Sequence, residues 1–200
     1  MLKTLLQIII QLLPLLNKKS APKVEEESEE EEKYNEYVEK EHEKDFKLNF
    51  HQSPNYRKGI NKSNTCIILH HTAGKSFKSD LNWMLNPESK VSAHYLIGEQ
   101  GEIAQLVKDK DIAWHAGKSE WNGKSNVNNF SIGIECSGDT TKKPFTDIQF
   151  DALVFLVKKL KKEYDIPLSD IISHREIAPG RKVDLDPKNF DWEKFYVLVG

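Results

Sequence analysis

The chain has 200 residues, of which 38% are hydrophobic, and it contains two cysteines. This length allows one domain with a real core, and two cysteines exclude a disulfide-dense secreted scaffold. Residues 24–45 hold 12 of the 31 acidic residues, whereas residues 46–200 hold 22 Lys and Arg against 19 Asp and Glu. No basic stripe with interleaved aromatic residues stands out, so nucleic acid is not an expected partner.

The first 16 residues are mostly apolar. This length suits the core of a signal peptide better than a membrane span, which needs about 20 apolar residues. Gln7 and Gln11 interrupt the run, and Ser20-Ala21 is the nearest cleavage-like site. An uncleaved anchor and a helix that docks on a partner are therefore alternatives. We predict that residues 1–22 are signal-like or membrane-anchoring and that the protein is exported or membrane-associated, with a cytoplasmic enzyme released at lysis as the alternative.

Residues 23–45 form a charged tract in which positions 25–32 read Glu-Glu-Glu-Ser-Glu-Glu-Glu-Glu. Like charges repel and few apolar residues are present, so this tract is predicted to be a disordered linker. An alternative role is a docking tail for another protein. The folded domain is predicted to cover residues 46–200, and we expect it to be a monomer.

Within that domain, apolar runs predict strands at residues 65–70, 93–97, 102–107 and 130–136. Ser79 would cap a short helix over residues 80–85, and Thr146 with Gln149 would cap a long helix that stops at Ile166-Pro167. Residues 111–129 read as a loop, and a last helix would begin at residues 190–192. This mixture predicts an α/β domain with a central mixed β-sheet flanked by helices.

Two histidines end the first of these strands. Because side chains alternate along a strand, His70 shares a face with Cys66, while His71 points to the other face. One histidine is therefore a candidate metal ligand and the other packs or forms hydrogen bonds, but the alternation does not say which. Cys66 and Cys136 both lie in apolar strands and are predicted to be buried thiols, although their pairing is left open.

Four further polar residues follow apolar segments. Glu135 ends its strand and is either an edge residue that reaches solvent or a general base. His174, Lys182 and Asp184 lie in a segment containing Pro and Gly, where a rigid fold can present ligands. Two imidazoles and one carboxylate suffice to hold a catalytic zinc with one open position, and a nearby lysine suits stabilisation of an oxyanion.

Five motifs, in this order along the chain, resemble the type 2 N-acetylmuramoyl-L-alanine amidases, the zinc amidases related to phage endolysins and peptidoglycan-recognition proteins. The motifs are His-His-Thr-Ala-Gly at residues 70–74, Val-Ser-Ala-His-Tyr-Leu-Ile at 91–97, Ala-Trp-His-Ala-Gly at 113–117, Phe-Ser-Ile-Gly-Ile-Glu at 130–135 and His-Arg-Glu-Ile-Ala-Pro-Gly-Arg-Lys-Val-Asp at 174–184. Each motif is weak alone, but the five together are specific.

The resemblance implies a single zinc amidase domain and assigns a role to each matching residue. His70, His174 and Asp184 would hold one Zn²⁺. Glu135 and Lys182 would be catalytic. The groove for peptidoglycan would be lined by His94, Trp114 and His115.

Two positions depart from the family pattern. Some relatives have a catalytic tyrosine where this chain has Ala93, so Glu135 would act without it. Family members usually read Asp-Pro-Gly-Pro after the lysine, whereas this chain reads Asp184-Leu185-Asp186-Pro187, which leaves Asp186 as an alternative ligand.

The implied reaction is zinc-dependent hydrolysis of the amide between N-acetylmuramic acid and L-alanine, for cell-wall degradation or lysis. The main rival is a module that recognises peptidoglycan without cutting it. Such modules typically lack a zinc ligand, and all of the implied ligands are present here.

Overall fold

The computed structural model of the protein describes residues 46–60 and 62–200, so the predictions for residues 1–45 lie outside the described residues. Its central element is a mixed sheet of six strands. In spatial order these are β1 (Leu48–Phe50), β5 (Ile103–Gln105), β4 (Tyr95–Ile97), β9 (Ser131–Cys136), β3 (Cys66–His71) and β10 (Ile171–Ser173). Only the β4–β5 pair of this sheet is antiparallel. The predicted α/β domain with a mixed sheet is confirmed.

Two small ribbons lie outside this sheet. One pairs β2 (Tyr56–Arg57) with β6 (Ile112–Ala113), and the other pairs β7 (Glu120–Trp121) with β8 (Lys124–Ser125). Three of these strands fall within residues 111–129, where we predicted only a loop. Strands of two residues carry no readable alternation, which explains why the sequence pattern missed them.

In the part of the chain that the structure describes, four α-helices complete the domain: α1 (Phe77–Leu85), α2 (Asp147–Tyr164), α3 (His174–Ile177) and α4 (Trp192–Val199). Three short 3₁₀ helices cover Pro87–Ser89, Val127–Asn129 and Leu168–Asp170. The predicted cap of α2 is confirmed, because the Thr146 side chain accepts a hydrogen bond from the Gln149 N–H at 3.2 Å. The predicted start of α1 was three residues too late. Ser76, rather than Ser79, caps that helix, and its side chain accepts from the Ser79 N–H.

The main core lies on one face of the sheet. Alternate residues of β3 and β9 pack there against α2 and α4 and are fully buried; they are Ile67, Leu69, Ile132 and Ile134. Full burial of one such side chain contributes about 1.5–3 kcal/mol. This face therefore fixes which residues of the two strands point to the opposite side, where the polar residues lie.

The two cysteines are buried, as their apolar surroundings predicted, and both are free, which answers the open question of their pairing. Burial raises the pKa of the Cys66 thiol to about 12, so it packs as a small neutral side chain. Among the described residues, no helix has the length and apolarity needed to cross a membrane.

Candidate active site

The register between β3 and β9 brings two candidate residues together. His70 lies directly opposite Glu135 in this parallel pair, and Cys66 lies opposite Ser131. Partners in register point to the same face, so His70 and Glu135 share the face that is not covered by α2. The site thus begins at the carboxyl ends of the two central strands.

The other two candidate ligands come from the segment that follows β10. His174 is the first residue of α3, whose start is stabilised by a hydrogen bond from the Ser173 N–H to Glu176 Oε2 at 2.9 Å. Asp184 returns to the same place because the Arg175 N–H donates to the Asp184 carbonyl oxygen at 2.7 Å. This hydrogen bond closes the base of a loop, with both ligands beside the closure.

Three candidate ligand atoms form a triangle. His70 Nδ1 lies 2.9 Å from His174 Nδ1 and 3.3 Å from Asp184 Oδ2, and His174 Nδ1 lies 3.1 Å from Asp184 Oδ2. Tetrahedral ligands at 2.0–2.1 Å from a zinc ion would be separated by about 3.3 Å. The triangle therefore has the size and the donor types of a three-residue metal site.

The protonation states also suit a metal. The His174 Nε2 lies 3.1 Å from the Ala116 carbonyl oxygen, to which only an N–H can donate, so the neutral form of this imidazole has its lone pair on Nδ1, facing the triangle. Burial lowers the pKa of His70 to about 4, so this imidazole is neutral at pH 7. Neutral imidazoles and an ionised carboxylate are the forms that bind metals.

Glu135 combines a buried oxygen atom with a raised pKa, two properties common in carboxyl groups that take part in catalysis. Its Oε2 atom is inaccessible to solvent and has no hydrogen-bond partner, although the residue as a whole is partly exposed. Burial, and then the negative charge of Asp184, raise the pKa of Glu135 to about 8, while the charge of Lys182 opposes this shift. A buried carboxyl group with a pKa near neutrality can both accept and return a proton.

Lys182 is half-buried on the same loop as Asp184. Its backbone N–H donates to the Ala178 carbonyl oxygen at 3.1 Å, which folds the tip of the loop back on the end of α3. Its positive charge acts on both Glu135 and His70. Because its charge also acts on His71, which points to the other face of β3, Lys182 lies near the carboxyl end of this strand.

His71 and Asp186 lie outside the triangle. His71 Nδ1 accepts a hydrogen bond from the Thr140 N–H at 3.0 Å, and the Asp186 N–H donates to Thr140 Oγ1 at 2.9 Å. The Asp186 carboxylate accepts from the Lys188 N–H at 2.9 Å. Thr140 thus ties the end of β3 to the loop beyond Asp184, a role that no sequence motif indicated.

The three residues expected in the substrate groove lie in different environments. Trp114 is 36% exposed, so its side chain is available to a ligand. His94 is fully buried, with Nδ1 accepting from the Gly133 N–H and Nε2 lying 3.0 Å from Lys62 Nζ. His115 is 8% exposed and contacts His70. The structure therefore places two of the three in the interior rather than on a groove surface.

Comparison with known proteins identifies the family. A family model described as N-acetylmuramoyl-L-alanine amidase matches residues 61–188, which include all the residues of the triangle. The chain belongs to this amidase family. This confirms the resemblance that the five motifs indicated.

Similar proteins support the same assignment. The chain is 34% identical over 167 residues to the 1,6-anhydro-N-acetylmuramyl-L-alanine amidase AmpD of Haemophilus influenzae, covering 74% of this chain and 90% of that protein. It is also 34% identical over 143 residues to the N-acetylmuramoyl-L-alanine amidase AmiD of Escherichia coli, covering 64% of this chain and 50% of that protein. The fold matches a crystal structure of an AmpD derivative with a TM-score of 0.66 and 32% identity, over 76% and 94% of the two chains.

Family membership and the intact triangle make this chain an amidase, a hydrolase that acts on peptidoglycan, rather than a module that only recognises it. A mutant endolysin from Bacillus subtilis shares the fold, with a TM-score of 0.63 over 78% of this chain and 99% of that one, at 23% identity.

Proposed function

We propose that the chain is a zinc-dependent N-acetylmuramoyl-L-alanine amidase in which His70, His174 and Asp184 hold one Zn²⁺. The observation that carries this proposal is the triangle of two imidazole nitrogens and one carboxylate oxygen, with sides of 2.9–3.3 Å. Three protein ligands leave a fourth position open, as catalytic zinc sites require. Zinc, when bound, acidifies a water molecule and polarises the scissile carbonyl group.

Glu135 is the proton carrier in this proposal. Its unpartnered Oε2 accepts the proton of the attacking water and later passes it to the nitrogen of the leaving L-alanine. Burial favours the protonated form of Glu135 in the metal-free protein, which suits a carboxyl group that must hold a proton before the second transfer.

Lys182 stabilises the negative charge that develops on the carbonyl oxygen of the amide. A positive charge aimed at a developing oxyanion in a site with little water lowers the barrier more than the same charge in bulk solvent. The exposed Trp114 ring offers a flat apolar surface to the sugar or the peptide. His94 and His115, although part of the groove implied by the resemblance, have their ring nitrogens engaged inside the protein.

Two relatives suggest the form of the substrate. The AmpD relative is named for 1,6-anhydro-N-acetylmuramyl-L-alanine. The structure of E. coli AmiD was solved with anhydro-N-acetylmuramic acid-L-Ala-D-γ-Glu-L-Lys; it has a TM-score of 0.61 and 31% identity, over 71% of this chain and 60% of that one. We propose that the substrate of this chain also contains a muramyl-L-alanine amide.

The decisive experiment combines metal analysis with mass spectrometry of digested peptidoglycan. Wild-type protein should contain about one zinc per chain and release stem peptides with a free L-alanine amine. His174→Ala should lose both properties. His51→Ala is the matched control, because His51 is an exposed histidine outside the triangle. Stoichiometric zinc and normal cleavage in His174→Ala would show that the ligand assignment is wrong.

The N-terminal segments complete the proposal. Residues 1–16 direct the protein to or across a membrane, and residues 23–45 space the enzyme from it. Deletion of residues 1–45 should leave the melting temperature and the activity in solution unchanged while altering localisation in cells. A large fall in melting temperature would show instead that the segment belongs to the fold.

A further inference from the structure

The His115 ring is enclosed, and each of its nitrogens already has a protein partner. Nδ1 lies 2.9 Å from His70 Nε2, and Nε2 lies 3.2 Å from Ser131 Oγ. Ser131 Oγ in turn donates to the Val127 carbonyl oxygen at 2.7 Å. A ring whose two nitrogens are both engaged has no free polar atom to offer a substrate.

The last acceptor in this series of hydrogen bonds, the Val127 carbonyl oxygen, fixes which atom donates in each bond of the series. A carbonyl oxygen can only accept, so Ser131 gives its proton to Val127 and must accept one from His115 Nε2. The proton of His115 is then on Nε2, and its Nδ1 accepts from the N–H of His70 Nε2. The lone pair of His70 is left on Nδ1, the atom that faces His174 and Asp184.

The sheet is shaped to hold this ring. A Cβ atom at Gly133 would lie 2.4–2.6 Å from three ring atoms of His115, so only glycine allows the imidazole to rest on β9. The backbone at His115 is also held in place by hydrogen bonds. Asn128 Oδ1 accepts from the N–H groups of His115 and Ala116 at 3.1 and 2.8 Å.

We propose that His115 is a positioning residue that fixes the tautomer and the orientation of the metal ligand His70. This replaces the substrate contact that the resemblance implied, and it rests on the proposed zinc site. Without an acceptor at His115, the Nε2–H of His70 is buried and unpaired. The alternative tautomer, which carries its proton on Nδ1, then becomes competitive, and this proton points into the triangle where it opposes metal binding.

Zinc affinity, measured by competition with a chelator on the full chain, tests this directly. His115→Phe keeps a ring of similar size but removes the acceptor, so the zinc dissociation constant should rise by about 10–100-fold. His115→Asn places an amide oxygen near the position of Nδ1 and should restore most of that affinity. Ser131→Ala keeps the His115 ring but removes the acceptor at Nε2, so it should weaken zinc binding by a smaller factor.

The melting temperatures of the metal-free proteins are the control for folding. The positioning role predicts that zinc affinity differs between His115→Phe and His115→Asn when their metal-free melting temperatures are alike. A raised KM with unchanged zinc affinity in both variants would overturn it in favour of substrate contact. If His115→Phe does not fold, unchanged zinc affinity in Ser131→Ala would overturn it as well. Absence of zinc from wild-type protein would reject the proposed function instead.

Discussion

The two faces of the central sheet are built from the same strands but differ in composition. On one face, alternate residues of β3 and β9 are isoleucine or leucine, fully buried against α2 and α4. On the other face, the same strands present His70 and Glu135, together with Ser131 and Gly133, which seat His115. The first face is apolar except for His71 at the end of β3, whereas the other holds a buried polar network.

This difference shows how an apolar core can set the geometry of a reactive site. Because side chains alternate with a period of two, a slip of one residue would exchange the two faces of a strand. Burial of Ile67 and Leu69 against α2 excludes that slip for β3, and Ile132 with Ile134 excludes it for β9. The register that places His70 opposite Glu135 is therefore enforced from the other side of the sheet.

The largest contrast is expected between neighbouring residues on the two faces of β3. His70→Ala should abolish zinc binding and activity, because it removes one of three ligand atoms. His71→Ala should retain zinc, since His71 faces Thr140 and Asp139. Metal content after gel filtration distinguishes the variants, and the reverse result would exchange the roles of the two histidines.

The second largest effect should fall on the rate alone. Glu135→Gln and Lys182→Ala should both keep zinc and the fold. Glu135→Gln should lower kcat by about 10²–10⁴-fold, because proton transfer is lost. Lys182→Ala should lower kcat by a similar factor, because oxyanion stabilisation is lost. Steady-state kinetics at saturating substrate, with zinc content measured on the same samples, gives the result. A near-normal kcat would remove that residue from the mechanism.

A substitution on the core face should lower the stability of the protein and leave its rate almost unchanged. Ile134→Ala should lower the free energy of unfolding by about 2–5 kcal/mol, because it leaves a cavity among fully buried side chains. The kcat per bound zinc should change little in the folded fraction. Val197→Ala is the control, since Val197 is 75% exposed on α4 and its loss should cost little. Urea unfolding measures the loss of stability, and steady-state kinetics on the same preparations measures kcat per bound zinc. A large fall in kcat per bound zinc in Ile134→Ala would contradict the separation of the two faces.

The last effect concerns the pH dependence of stability in metal-free protein. Burial raises the pKa of Glu135 from 4.5 to about 8, so its neutral form is favoured in the folded state. The stability that this provides is complete below about pH 4.5 and is lost as the pH rises through about 8. Between pH 5 and 8, wild-type protein should therefore lose more unfolding free energy than Glu135→Gln. Equal losses in both proteins would show that this carboxyl group is not desolvated.

Much of this arrangement could be predicted from sequence, because it depends on local pattern. The long strands β3 and β9 and the cap of α2 have clear signals in Cys66–His71, Ser131–Cys136 and Thr146. The edge strand Leu48–Phe50 was missed, because three residues carry little periodicity. The start of α1 was misplaced because two serines, Ser76 and Ser79, could each cap it.

The candidate site could be predicted only in part. Sequence predicted that one histidine of the pair faces a possible metal, but the choice of His70 needed the family resemblance and the fold. The place of His115 could not be read from its own motif. It depends on Gly133, a residue on another strand whose missing side chain leaves room for the ring, and such a pairing exists only in three dimensions.

The hydrogen bond between Arg175 and Asp184 has a consequence for how such enzymes can diverge. It joins the two ends of a loop. Gly180, at the tip of this loop, has a positive φ, and Lys182 lies between the tip and Asp184. Loop-closure entropy changes by only about 0.6 kcal/mol when a loop doubles in length. Insertions at the tip could therefore accumulate while His174 and Asp184 stay together. Such changes would displace Lys182 first, so the proposed mechanism predicts that variants with a longer tip lose turnover before they lose the proposed metal site.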